Sequence, residues 1–126
     1  MADIYFSYPN IQSQSPPCLE AYMNLLVLLT GSPEEYHQAM TLLFADHPPE
    51  LLPNGKFHEA LIWETQYFGS KSINLWLEDE ELVVESAWDV PFEFYLHLYA
   101  YLWKLDPYVC LHASFMGNDE GVAHWI

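Results

Sequence analysis

The sequence predicts an α+β domain in which an antiparallel sheet carries two helices on one face. Three observations predict it. Hydrophobic residues make up 52% of the 126, and 17% are aromatic, enough to build a core without metals or staples. Two windows repeat apolar residues at helical spacing, each with a proline in its first turn. Between and after them lie apolar runs of strand length, bounded by turn residues. The charge is extreme: three Lys, no Arg and 18 Asp or Glu leave a formal −15. Acidic disordered chains lack such apolar content, so this one folds. The same charge argues against direct nucleic-acid binding, which rests on Lys and Arg displacing counterions, and against an anionic membrane surface.

Residues 1–20 read as a turn-rich leader, punctuated by Tyr8-Pro9-Asn10 and Ser15-Pro16-Pro17. The domain proper is expected over 21–126. Met23 to Thr30 is an apolar run closed by Gly31 and suits a buried strand. Ser32-Pro33-Glu34-Glu35 opens a helix, with Ser32 as N-cap and Glu35 closing a capping box. Tyr36, Met40, Leu43 and Phe44 form its buried stripe, and Asp46-His47-Pro48-Pro49 ends it. A long loop follows over 46–58, then a short strand or ordered approach from Ala60 to Tyr67.

Ile73, Leu75 and Leu77 alternate with Asn74 and Trp76, a period of two, and Leu82 to Ala87 makes the return strand. The turn between them, Glu78-Asp79-Glu80, lacks the glycine or asparagine that tight hairpins favour. Asp89-Val90-Pro91 starts a second helix, with Asp89 or Val90 at the cap. Its expected apolar face is Phe92, Tyr95, Leu96, Tyr99, Leu102 and Trp103. Asp106-Pro107 ends it, Tyr108 to Phe115 is a strand, residues 117–121 turn, and Val122 to Ile126 is a last strand. Strand, helix, strand, strand, helix, strand, with a fifth strand appended, is the order of the ferredoxin-like split β-α-β fold.

Four local motifs resemble one family, the YubB-like ferredoxin-like proteins of phages and plasmids. Asn24 to Gly31 resembles its first strand, and Trp63 through Phe68-Gly69-Ser70-Lys71 its aromatic-glycine-lysine segment. Val84 to Pro91 is similar to its strand ending in Ala-Trp before a proline-started helix. Ser114-Phe115-Met116-Gly117 through Gly121-Val122-Ala123 resembles its closing hairpin. The resemblance implies the fold and a mobile-element origin, and names no chemistry.

Chemical motifs are sparse. P-loop, G-x-G-x-x-G and G-x-S-x-G patterns are absent, so no enzyme, catalytic residue or cofactor is expected. Cys110 and His112 alternate on one strand with His124 in the last hairpin, a weak zinc pattern without C-x-x-C or H-x-x-x-H, and no metal is expected. Both cysteines are expected as free thiols in a cytoplasmic setting, since no signal segment or membrane-length apolar run is present.

The strongest local signal is acidic: Glu78, Asp79, Glu80 and Glu81 run consecutively, with Glu85 shortly after. The bland reading is a solvated turn. The functional one is that carboxylates spaced along an edge imitate phosphates, which the absence of arginine favours. Glu34 and Glu35 form a second acidic zone, with a ready role at a helix N-terminus. Trp76 is expected on the uncovered sheet face, where tryptophan marks binding surfaces. These eight residues are the expected partner-binding set. The function expected is a non-catalytic inhibitor that blocks the DNA-binding surface of a bacterial defence complex, anti-CRISPR or anti-restriction. An immunity protein or antitoxin against a basic nuclease toxin is the alternative.

Overall fold

The computed structural model describes residues 4–45, 67–87, 89–117 and 122–125. Along the chain these form β1 (Ile4–Gln12), α1 (Pro16–Leu29), α2 (Pro33–Leu43), β2 (Lys71–Glu78), β3 (Glu81–Ala87), α3 (Phe92–Trp103), β4 (Cys110–Gly117) and β5 (Val122–Trp125). The strands make one sheet in the order β2-β3-β1-β4-β5, and every neighbouring pair is antiparallel. The protein is α+β with an antiparallel sheet, as the sequence predicts, but the described residues hold three long helices rather than two.

The leader is the largest correction. Residues 4–12 are not a preamble to the domain; they are its central strand. β1 pairs with β3 from Ile4↔Ala87 to Ser7↔Val84 and with β4 from Tyr5↔Gly117 to Gln12↔Cys110. Pro9 disguises the strand, because proline removes a ladder donor and is rare in central strands. It is tolerated because it lies past the last β1–β3 rung, where only β4 runs alongside. Its carbonyl is met by the hydroxyl of Tyr22 on α1, which donates to it at 3.3 Å.

The second correction follows from the first. Met23 to Thr30 is not a strand but the C-terminal half of α1 and its cap. Ser15-Pro16-Pro17 is the missed helix start: the Ser15 hydroxyl accepts from the Cys18 amide at 3.4 Å, and proline occupies the first turn. Asn24 to Gly31, which resembles a family strand, is therefore helical here as far as Leu29. An unbroken apolar run reads equally as strand or buried helix, and only its setting decides.

α2 follows the sequence reading closely. Ser32 caps it, Glu35 Oε1 accepts in return from the Ser32 amide at 3.1 Å, and Met40 and Leu43 are buried. α3 is displaced from expectation in two respects. Its N-cap is Pro91, with no side-chain cap, while Asp89 Oδ1 accepts from the Val90 amide just before it. Its buried face is Phe94, Tyr95, Leu98 and Leu102, and Leu96 and Trp103 stay about half exposed at 51% and 50%. The helix is apolar on nearly every side, so spacing alone could not choose the inward face. The expected loop at 46–58 and the segment from 60 to 66 lie outside the described residues.

The three described helices α1, α2 and α3 pack on one side of the sheet. Their buried side chains join Ile11, Leu82, Val84, Leu111 and Ala113 in a single core, within which Phe68 stacks on Phe94 at 5.0 Å. Two tyrosines bring hydroxyls into this core. Tyr95 hydrogen-bonds Ser7 of the central strand, and burial pushes both Tyr95 and Tyr22 above the ordinary tyrosine range. The carboxylate of Glu81 adds a smaller push on Tyr22 in the same direction.

Candidate functional site

Strand periodicity sorts the sheet residues into two faces. Ser7, Ile11, Val84 and Leu82 look toward the helices. Their neighbours Phe6, Tyr8, Asn10, Val83, Glu85, Asn74, Trp76, Cys110, His112 and Met116 occupy the opposite face, which no described helix covers. Register places them in rows: Asn74, Glu85, Phe6 and Met116 stand side by side across four strands. Trp76 stands opposite Val83 in the next row.

This uncovered face is apolar at its centre. The rings of Phe6 and Trp76 meet edge to face at 6.3 Å. Tyr8 and Met116 are exposed at 37% and 43%, yet Val83 between the strands is only 2% exposed. Val83 is not part of the core beneath the helices. Sequence reading placed Trp76 here; it missed Phe6 and Tyr8, because they belong to the strand taken for a leader.

Glu85 stands in the middle of that surface. The Asn74 amide donates to its Oε2 at 3.0 Å, and this is its one hydrogen bond among the described residues. Trp76 is two residues from Asn74 on the same face, and Phe6 is the β1 partner of Glu85. A carboxylate is thus held next to an aromatic pair.

The acidic hairpin lies at the end of β2 and β3. Glu78 and Glu81 close the ladder as directly opposed partners, and Asp79 and Glu80 form the two-residue turn between them. All four are exposed. Asp79 and Glu80 have φ of 52° and 68°, the left-handed region that a type I′ hairpin demands at both central positions. Aspartate tolerates it; glutamate has no side-chain device to offset it. Like charges directly opposed across a ladder also repel. The hairpin thus carries two separate destabilising features at once.

The structure does not gather all eight expected residues into one surface. Glu78 to Glu81 lie at the hairpin tip, and Glu85 with Trp76 on the uncovered face. Glu34 and Glu35 sit at the start of α2, on the helical layer, where Glu35 is committed to the capping box. A groove between α2 and the edge strand β2, about 350 Å³, is lined by Ser32, Tyr36, Ile73 and Asn74, and by none of the eight.

A larger groove of about 780 Å³ lies where the β1–α1 and α3–β4 connections meet. There the Ser13 hydroxyl donates to Asp106 Oδ2 at 2.6 Å, while Asp106 Oδ1 accepts from the Tyr108 amide. Both oxygens of Asp106 are thereby occupied in joining two connections, a structural role. Cys110 and His112 share the uncovered face, the side chain of His124 lies outside the described residues, and no metal-ligating group of three assembles among those described. Cys18 is buried and Cys110 exposed, both as free thiols. No described helix is long and apolar enough to cross a membrane.

No protein-family model matches this chain, and neither a curated protein nor a solved structure does.

Proposed function

We propose that this protein is a non-catalytic inhibitor of a basic DNA-binding complex, of the anti-CRISPR or anti-restriction kind, and that it acts by presenting carboxylates where DNA phosphates would lie. The observation that carries the reading is the Glu78–Glu81 hairpin. Four consecutive exposed carboxylates are kept on a turn that is both electrostatically and conformationally costly, where an Asn-Gly turn would relieve the backbone strain and remove two of the four charges. The formal charge of −15 without a single arginine adds a long-range field that speeds encounter with a cationic surface.

We read the fold as ferredoxin-like. The order β2-β3-β1-β4 supports this, with helices linking β1 to β2 and β3 to β4; the second helix in the first link and the added β5 are elaborations. The resemblance to YubB-like proteins supports a mobile-element origin through its segment before β2, its β3 end and its closing hairpin.

The test is DNA competition on a panel of purified CRISPR effectors and restriction enzymes, each with its own target duplex. Wild-type protein is expected to abolish DNA binding by one of them at low salt and to weaken as salt rises. A variant with Glu78→Gln, Asp79→Asn, Glu80→Gln and Glu81→Gln is expected to associate on the order of tenfold more slowly. Equal inhibition by that variant removes the hairpin from the mechanism. Protection against a basic nuclease toxin, with no effect on the panel, replaces this reading with an immunity protein.

A further inference from the structure

We infer that the sheet face that no described helix covers is a second contact surface, and that Glu85 with Phe6 and Trp76 receives an arginine side chain from the partner protein. The occupant, an arginine on the DNA-binding surface of a basic protein, rests on the function proposed above; the geometry of the receiving site does not.

Among the described residues Asn74, through Oε2, is the one hydrogen-bond partner of Glu85, which leaves its other oxygen to accept from a guanidinium. Phe6 and Trp76 flank it at 6.3 Å from each other, and an aromatic ring beside a carboxylate suits a planar cation that stacks and hydrogen-bonds together. The chain contains no arginine of its own to fill the site. The face around it, with Tyr8, Val83 and Met116, is uncharged and partly desolvated, the setting in which a cation–aromatic contact is strongest.

Charge selects among the occupants. A second copy of this chain would bring another −15 to the same surface and is repelled. A single-stranded nucleic acid would stack on the aromatics, but its phosphates meet the same field. A cationic protein surface satisfies both the apolar centre and the acidic surroundings. Arginine is favoured over lysine because its fork engages a carboxylate while its plane rests on a ring.

The experiment is an NMR titration of the isotope-labelled full chain with L-argininamide, with glycinamide as a cation lacking the guanidinium. Argininamide is expected to shift the Trp76 indole N–H and the amides of Phe6, Asn74, Trp76 and Glu85, and glycinamide to leave them in place. Glu85→Gln, nearly isosteric and checked by the dispersion of its own spectrum, is expected to weaken binding about fivefold or more. Asn74→Ala is expected to weaken it less, by letting the carboxylate swing, and the Glu78→Gln/Glu81→Gln variant to leave it within about twofold, since those charges are solvated and screened. Shifts spread evenly over the exposed carboxylates, or binding unchanged in Glu85→Gln, would overturn the inference. The titration uses no effector complex, so its failure leaves the hairpin competition standing, and failure of that competition leaves the arginine site standing.

Discussion

Replacing Asp79-Glu80 by Asn-Gly should stabilise the protein while weakening its action, and the two effects separate backbone from charge. Both residues hold positive φ, 52° and 68°, in a two-residue turn whose partners Glu78 and Glu81 face each other. A left-handed non-glycine residue costs about 1–2 kcal/mol, and glutamate at position 80 has no compensation. Glycine there returns roughly 0.5–1 kcal/mol of that as lost unfolded-state freedom. Asparagine at 79 changes the backbone term little and removes one charge from a repelling group, which is a few tenths of a kcal/mol in solvent. The expected net gain is therefore about 1 kcal/mol, which for a domain of this size raises Tm by roughly 3–5 °C. The control is Asp79→Asn/Glu80→Gln, which removes the same two charges and keeps the strained backbone. Differential scanning calorimetry at low and at high salt reads both. If the Asn-Gly variant melts no higher than its charge-matched control, strain at the turn is not a cost, and the argument that the hairpin is retained for its carboxylates loses half its support.

The remaining predictions concern the frame that holds these surfaces. Removing residues 1–12 should abolish cooperative unfolding, because it deletes the strand between β3 and β4; a truncated chain with an unchanged urea transition would contradict the sheet order. Leu98→Ala, at a fully buried position of α3, should cost about 2–5 kcal/mol, visible as a lower urea midpoint at constant slope. Ser32→Ala removes the α2 capping box and should cost about 1 kcal/mol in the same assay. Tyr22 and Tyr95 are held protonated in the fold, so their contribution is fully present below the ordinary tyrosine value of 10.0 and is lost as pH rises above it, where the unfolded chain ionises first. Unfolding followed by circular dichroism from pH 9 to 12 should show this loss, and Tyr22→Phe/Tyr95→Phe should flatten it; an equally steep variant would refute the assignment.

How far the fold is legible in the sequence varies by element. α2 is readable because its signals are local: Ser32, Pro33 and Glu35 act within one turn of one another. The β2–β3 hairpin is readable from alternation, since Ile73 and Leu75 serve a different side from Asn74 and Trp76. α1 carries the same start signal as α2, serine followed by proline, but without an acidic residue in its first turn, and its apolar run imitates a strand. β1 was illegible for a different reason. Its alternation of Ser7, Pro9 and Ile11 against Phe6, Tyr8 and Asn10 is interrupted by a proline that only the ladder's geometry excuses.

The candidate site divides along the same line. Charge is a property of composition, so the acidic run at 78–81 and the absence of arginine needed no structure. So did the prospect of Trp76 on an uncovered face, because strand periodicity alone separates it from Ile73 and Leu75. Asn74 meets Glu85 across the hairpin, but that Phe6 stands on its other side is a matter of register between distant strands, and no local pattern encodes it. The sequence by itself determined an acidic α+β domain with a costly hairpin, because propensity, period and charge act over a few residues. Tertiary structure decided which strand is central, which face of α3 turns inward and which aromatics surround the carboxylate, because burial is settled only when distant segments compete for the same interior.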